Sequence, residues 1–279
     1  VGLGEIGSTL LELLKETNRF AVYGLDLDAT KVLAVNQNHD ELPKKVDTMH
    51  ICIPCKDQNK FTETVTGYTE QFKPELLIIN STVPPGTTKK IQKRCNSLVV
   101  HSPTRGVHKS PEHMKWELKR WTKYIGGAST KAAETAQEHF EKMGLKVKTL
   151  ESCAETELAK LFETTYRAWM IACFQEMHRI TRTFNVDFNE VVDFLEDTHR
   201  LRLDRPIMFP GFIGGHCLIP NTELLLQLYD SEFLRLILES NIKRKREIKD
   251  KQIQEEAEKI AQRVEALEKE LQQESKKCN

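Results

Sequence analysis

The sequence predicts an α/β protein: a parallel sheet wrapped by helices, then an all-helical segment and a long charged C-terminal helix. Three observations predict it. Strand-like and helix-like stretches alternate through the first half, which is the sequence form of a parallel sheet with crossover helices. A glycine pattern opens the chain at the first of these pairs, and the run of some thirty residues from Glu151 to Phe184 contains no glycine or proline.

The opening "VGLGEIGSTLLELLKET" reads as a strand end, a glycine turn and a helix whose apolar face runs Ile6, Leu10, Leu13, Leu14. Val1 stands directly before the turn, where a complete strand is expected, so the first strand is read as lacking its opening residues. "RFAVYGLDLD", "DTMHICIPC", "ELLIINSTV", "SLVVHSP" and "KYIGGA" are the following strands, and "TKAAETAQEHFEKMG" is a helix closed by Gly144 before "KVKTL". These segments make a first domain over 1–150. A second, helical domain over 151–230 has the glycine-free run as its spine, then "DFNEVVDFLEDTH" starting at Asp187 or Asn189, then "TELLLQLYD". Over 231–279, Ile253, Ala257, Ile260, Val264, Leu267 and Leu271 recur at spacings of 4, 3, 4, 3 and 4, the pattern of a coiled-coil seam. A solvated helix, or one folded back on the body, is the alternative.

The bulk numbers narrow the function classes. The 41 basic and 41 acidic residues cancel, so no global field steers the chain to nucleic acid or to a membrane surface. No run approaches the roughly 18 apolar residues that span a bilayer. Seven cysteines, an odd number with irregular spacing (Cys52, Cys55, Cys95, Cys153, Cys173, Cys217, Cys278), read as reduced thiols of a cytoplasmic protein rather than a disulfide framework.

Gly2, Gly4 and Gly7 form Gly-x-Gly-x-x-Gly, whose members serve a tight turn, close backbone approach to a pyrophosphate, and close helix packing. The helix that follows offers free amides and a positive dipole end to phosphates. Alone the motif is weak. It gains weight because "GLDLD" ends the next strand and places Asp26 nineteen residues after Gly7, where a carboxylate accepts hydrogen bonds from an adenosine ribose. That carboxylate repels a 2'-phosphate, so the expected cofactor is NAD on a Rossmann-type sheet. Asp28 is the fallback ribose ligand, or else a helix cap. Glu5, Ile6, Pro54, Ser81 and Thr82 are the other expected cofactor neighbours, since they sit in the glycine turn or at strand carboxyl ends.

The candidates for chemistry are less decided by spacing. Thr82, in "INSTVPPGTT", holds a water or substrate oxygen, or merely opens a capped turn. Lys160 and Thr164 stand one turn apart on the long helix, and a lysine aimed into a cleft stabilises an alkoxide or moves a proton, although most helix lysines are solvated. Cys217, in "PGFIGGHCLIPN", is a nucleophile or a small core residue; pairing with His216 as a zinc site lacks a second ligand pair, and "CIPC" at 52–55 lacks one too. No metal is expected.

The order of "VGLGEIG", "YGLDLD", "STVPPGTT", "ETELAKLFETTYRAWMIA" and "GGHC" resembles the UDP-glucose/GDP-mannose dehydrogenase family over residues 1 to about 225, nearest to members acting on UDP-N-acetylmannosamine and more distantly 6-phosphogluconate dehydrogenase. The resemblance implies two NAD-dependent oxidations of a sugar hydroxyl, with the aldehyde held on Cys217 as a thiohemiacetal and then a thioester. By it Lys160 is the oxyanion stabiliser or proton carrier and Thr82 positions water. It also implies a homodimer through the central helices. Three positions depart from the family pattern: Thr164 stands for an asparagine, Asn221 for an aspartate and Thr104 for a glutamate. A charged helix stands where the family has a further nucleotide-gripping α/β domain, so the substrate is sugar-like and possibly nucleotide-linked. The competing readings are a two-domain hydroxyacid dehydrogenase that uses Lys160 without covalent catalysis, and a non-catalytic NAD-binding assembly module.

Overall fold

A computed structural model of the chain describes residues 1–36, 42–106 and 110–277, with the side chains of 111 and 271–277 excepted. Cys278 and the side chain of Leu271 therefore lie outside the described residues. The chain divides into two compact units, Val1–Lys160 and Leu161–Asn279.

The first unit is built on five strands: β1 (Thr48–Ile51), β2 (Leu76–Ile79), β3 (Leu98–His101), β4 (Lys123–Gly127) and β5 (Val147–Thr149), in that spatial order. β1, β2 and β3 run parallel, β4 is antiparallel to β3, and β5 is parallel to β4. The sheet is thus mixed at β3/β4 rather than parallel throughout. β2 reads Leu-Leu-Ile-Ile and every residue of it is buried, as expected for a strand covered on both faces. Leu76 and Ile78 face a layer made by α1 (Glu5–Glu16), α5 (Pro111–Arg120) and α6 (Thr130–Lys142), through Leu10, Leu13, Met114, Leu118, Ala136 and Phe140. Leu77 and Ile79 face α3 (Gln58–Phe72) and α4 (Thr87–Gln92), through Phe61, Val65, Phe72 and Ile91. The expected helix after "KYIGGA" is α6, started by Ser129, whose side chain accepts from Ala132 N, and followed by Gly144 at φ +74°.

Two expected strands do not form. Val1–Leu3 and the stretch from Phe20 to Asp26 carry no strand, although they share backbone hydrogen bonds: Val1 N donates to His50 O (2.7 Å), Cys52 N to Val1 O (2.8 Å) and Gly2 N to Leu25 O (2.8 Å). A ladder needs alternating bonds over several residues, and the Phe20–Leu25 stretch has only the bond to Gly2 on this side. The stretch and β1 both line a cavity of about 720 Å³, with Leu10, Leu14, Phe20, Val22, Met49 and Phe72 among its walls. After it, Asp28 caps α2 (Ala29–Val35).

The second unit is helical. α7 (Cys153–Thr183) enters it from the first unit, followed by α8 (Phe188–Arg202), α9 (Leu218–Leu228), α10 (Glu232–Glu247) and α11 (Lys251–Lys277). Asp187 is the start of α8: its side chain accepts from Asn189 N at 2.8 Å. The single charged helix expected over 231–279 is two helices, broken at 248–250. Both contribute to the core of this unit. Leu234 and Ile237 of α10 pack with Leu161, Ala168 and Ile171 of α7, while Ile260 and Leu267 of α11 pack with Phe174, Phe188 and Val192.

The apolar residues of the expected coiled-coil seam meet the chain's own helices. Ala257, Ile260 and Leu267 are buried within the chain, so the apolar stripe of α11 is occupied by its own α7 and α8. Arg263 with Asp193 and Glu196, and Arg200 with Glu270 (2.8 Å), line α8 and α11 up in the same direction along the rim. Ile260→Ala is expected to destabilise this unit by about 2–5 kcal/mol. Urea unfolding of the variant and the wild type at one protein concentration checks it, and a difference below about 1 kcal/mol removes Ile260 from the core of this unit.

Candidate active site

The carboxyl ends of β1, β2 and β3 gather the polar groups of the first unit, the edge where parallel sheets bind ligands. The glycine turn sits beside them. At Gly2 (φ +84°) a Cβ meets the Cys52 carbonyl oxygen at 2.8 Å, and at Gly7 it meets the Gly2 carbonyl oxygen at 1.7 Å, so both glycines are required by close packing. A Cβ on Gly4 meets nothing within 4 Å, and Gly4, as N-cap of α1, gives no side-chain cap. The turn is therefore closed toward the protein and open outward, with Glu5 and Ile6 in the first turn of α1. This fits the phosphates of a dinucleotide. Asp26 accepts from Leu3 N (2.5 Å) and Asp28 N (2.9 Å), and these backbone donors hold its pKa below the usual value, keeping it anionic beside the turn. Asp28 accepts instead from Thr30 N (3.0 Å) and Thr30 Oγ1 (2.6 Å), so its carboxylate is engaged as a helix cap.

Beyond β1 and β2, Pro54 is exposed and Thr82 half-buried. Ser81 is buried and donates to Ile53 O at 2.6 Å, which ties the two strand ends together instead of presenting its hydroxyl outward. From β3, His101 is fully buried; burial drives its pKa down to about 3, so the ring is neutral. Its Nε2 lies 3.0 Å from Ser81 O, which only accepts, and its Nδ1 is 2.8 Å from Thr156 Oγ1 on α7.

Glu157 makes the strongest attachment of α7 in this unit. Its carboxylate accepts from Gly86 N (2.7 Å), Thr88 N (2.9 Å) and Thr88 Oγ1 (2.6 Å) at the start of α4. It is fully buried, and burial raises its pKa against those hydrogen bonds. Lys160 follows one turn after Thr156 and is half-buried; its charge lowers the pKa of both His101 and Lys123.

Sequence reasoning read Lys123 only as part of a strand, yet it is a buried amine of this edge. Its Nζ donates to Ser102 O (2.7 Å), Asn80 Oδ1 (3.2 Å) and Thr104 Oγ1 (3.3 Å), so Thr104 is engaged with an amine. Asn80 continues to His50 (3.2 Å) and His50 to His139 (2.9 Å). Burial lowers the pKa of Lys123 to about 7, helped by Lys160 and Arg105. A lone charged residue opening a strand was the only available signal.

In the second unit, Cys217 is the half-buried N-cap residue of α9, delivered by Gly215 at φ +78°. Asn221 N donates to Cys217 O at 3.0 Å in the first turn. Asn221 Nδ2 donates to Thr164 Oγ1 at 3.1 Å, and Thr164 Oγ1 donates to Leu161 O at 3.0 Å. Two of the three positions that depart from the family pattern thus pair with each other in the buried layer between α7 and α9. Gln175 and Asn241, which the sequence did not single out, hold the stretch before Cys217. Among the described residues no group of three or more His, Cys, Asp or Glu is placed to hold a metal, and no helix is long and apolar enough to cross a membrane.

Residues 154–243 match the family model for the UDP-glucose/GDP-mannose dehydrogenase family, central domain. The match covers 90 of the chain's 279 residues. It includes Lys160, Thr164, Cys217 and Asn221. UDP-N-acetyl-D-mannosamine dehydrogenase of Methanocaldococcus jannaschii is 29% identical over 258 residues, 78% of this chain and 58% of the relative. The enzyme of that name from Pyrococcus horikoshii is 30% identical over 168 residues, 57% of this chain and 39% of the relative. The chain thus spans less than two thirds of the length of either relative. The solved UDP-N-acetyl-mannosamine dehydrogenase Cap5O of Staphylococcus aureus shares the fold, with a TM-score of 0.70 at 21% identity over 91% of this chain and 70% of that one. A 3-hydroxyisobutyrate dehydrogenase of Mycobacterium tuberculosis shares it at a TM-score of 0.64 and 13% identity, over 89% of this chain and 92% of that one. Such identities speak for the fold alone.

Lys123 gives this site a pH signature. Its folded pKa of about 7 lies below the ordinary 10.5, so between those values the unfolded chain binds more protons and stability rises with pH. Thermal unfolding of the intact chain from pH 7 to pH 9.5 is expected to show that rise, and Lys123→Met to flatten it. An unchanged slope in the variant assigns the effect elsewhere.

Proposed function

We propose that the chain is an NAD-dependent dehydrogenase that oxidises a hydroxyl of a nucleotide-linked sugar, of the UDP-N-acetylhexosamine class that its relatives' names carry. The observation that bears most weight is the central-domain match enclosing both Lys160 and Cys217, in a chain whose first helix begins at an outward-open glycine turn. Gly2, Gly4, Glu5, Ile6 and Gly7 hold the pyrophosphate, Asp26 the adenosine ribose, and Pro54, Ser81 and Thr82 border the nicotinamide half. The anionic Asp26 favours NAD over its 2'-phosphorylated form. Bound there, NAD supplies the hydride acceptor.

The chain's own residues do the rest. Lys160 stabilises the developing alkoxide and takes up or returns its proton. Cys217 lies at the N-terminal end of α9, where the helix dipole favours a thiolate. The alcohol carbon first gives up a hydride to the bound NAD and becomes an aldehyde; the thiolate then adds to its carbonyl, forming a C–S bond and a thiohemiacetal, and loss of a second hydride to a second molecule of NAD leaves a thioester. Water then cleaves the C–S bond to give a carboxylate and the free thiol. Thr82 positions the water or a substrate oxygen, and the Thr164–Asn221 pair completes the polar surroundings of the cysteine with no ionisable group of its own.

A second reading has one observation in its favour: the hydroxyisobutyrate dehydrogenase fold is matched over nearly its whole length. In it Lys160 carries the proton and Cys217 is incidental. Cys217→Ser separates the two. With UDP-N-acetylmannosamine and NAD, the covalent scheme expects carboxylate formation to fall by at least about a hundredfold, whereas turnover equal to the wild type sinks it. NAD binding in calorimetry with no reduction of any UDP-sugar or hydroxyacid points to a binding module instead.

The assembly we propose is a homodimer through α7. Phe162, Tyr166, Met177 and Ile180 are exposed and fall on one face of this 31-residue helix, with exposed Phe184 in the turn directly after it, an apolar stripe of the kind that marks a protein interface. Ile180→Glu with Phe184→Glu is expected to halve the mass measured by light scattering while leaving the helical signal intact. Unchanged mass removes α7 from the interface.

A further inference from the structure

The stretch that delivers Cys217, residues 203–217, has no helix or strand of its own, so its backbone groups need other partners. Two buried amides supply them. Asn241 of α10 clamps Ile213 at both ends: its Oδ1 accepts from Ile213 N (2.8 Å) and its Nδ2 donates to Ile213 O (3.0 Å), as a neighbouring strand does. Gln175 of α7 donates from Nε2 to Gly211 O (2.7 Å), and its Oε1 accepts from Ser240 Oγ (2.7 Å).

The Gln175 clamp is in turn wired to the C-terminal helix. Gln175 O accepts from Arg244 Nη2 at 2.7 Å, and Arg244 Nη1 stands 3.0 Å from His178 Nδ1. A guanidinium only donates, so Nδ1 is the acceptor and the ring proton sits on Nε2, which donates to Glu256 Oε2 of α11 at 2.8 Å. Gln175, His178 and Arg244 are fully buried. Arg244 Nε makes no hydrogen bond and lies 3.3 Å from Glu247 Oε2 of its own helix; the other links are hydrogen-bonded, and each one broken leaves a desolvated partner. The dehydrogenase chemistry uses none of these residues.

We propose that Asn241 and Gln175 are positioning residues for the Cys217 thiol, and that α11 governs Gln175 through the buried chain Glu256–His178–Arg244. The inference rests on the reading of Cys217 as a reactive thiol and gives the C-terminal helix a role: it sets the loop that presents the thiol.

The test is alkylation of the full chain by iodoacetamide across pH, read as the rate at the Cys217 peptide by mass spectrometry. Melting temperature and NAD reduction with UDP-N-acetylmannosamine are measured alongside. Asn241→Asp replaces the donor facing Ile213 O with an acceptor and is expected to change the rate about fivefold or more and to shift its pH midpoint. Glu256→Ala, remote from the loop, removes the acceptor of His178 together with the Arg182 ion pair and is expected to change the rate about twofold to fivefold. Glu256→Gln, whose amide oxygen still accepts from His178, restores the wild-type profile. A folded Asn241→Asp or Glu256→Ala protein with the wild-type profile overturns the proposal, as does Glu256→Gln behaving like Glu256→Ala. If Asn241→Asp does not fold, the Glu256 pair decides. Altered alkylation in chains that never reduce NAD leaves the positioning role standing and removes the dehydrogenase reading.

Discussion

The Glu157 carboxylate, buried against three donors at the start of α4, is the interaction on which the ligand edge of the first unit depends. It costs desolvation, visible in its raised pKa, and in return it satisfies backbone amides that a helix start otherwise leaves open. It also holds the first turn of α7 against α4. Thr156 meets His101 from the same turn, and Lys160, one turn on, is close enough for its charge to lower the pKa of His101 and Lys123. The Ser81 hydroxyl is spent on Ile53 in the same region, so rigidity at this edge comes from polar groups that are already paired.

A second constraint is the surplus of positive charge around that edge. Burial, with the charges of Lys160 and Arg105, lowers the pKa of Lys123, and His101 and His50 are kept neutral by burial. No carboxylate answers Lys123 among its hydrogen-bond partners, which are an amide oxygen, a backbone carbonyl and a hydroxyl. A glutamate at position 104 gives this lysine an anion; the threonine present leaves it a titrating amine. The departure at 104 is therefore an electrostatic change as well as a steric one. The departures at 164 and 221 are different in kind, since Thr164 and Asn221 meet in one neutral hydrogen bond.

What the sequence made legible follows the range of the interactions involved. The glycine turn, the caps of α6 and α8 and the unbroken α7 are set by neighbours in the chain, and each was readable from residue types at fixed offsets. The "RFAVYGLDLD" stretch has strand composition but too few ladder partners, and composition carries no information about partners. The heptad stripe of α11 was correctly periodic, but periodicity says that a helix has an apolar face and not which surface covers it; here Phe174, Phe188 and Val192 do. Cys217 and Lys160 were found through a motif in order. Lys123, Gln175 and Asn241 were missed because a buried amine or amide is identified only by the distant groups that satisfy it.

The three glycines of the opening turn differ in what holds them in place. Gly2 and Gly7 are demanded by the protein's own atoms, and any larger residue there collides with backbone. Gly4 faces open space, so the folded chain alone makes no claim on it. A lineage that had ceased to bind a ligand at this turn is free to drift at the middle glycine while keeping the outer two, which makes Gly4 a record of use rather than of architecture.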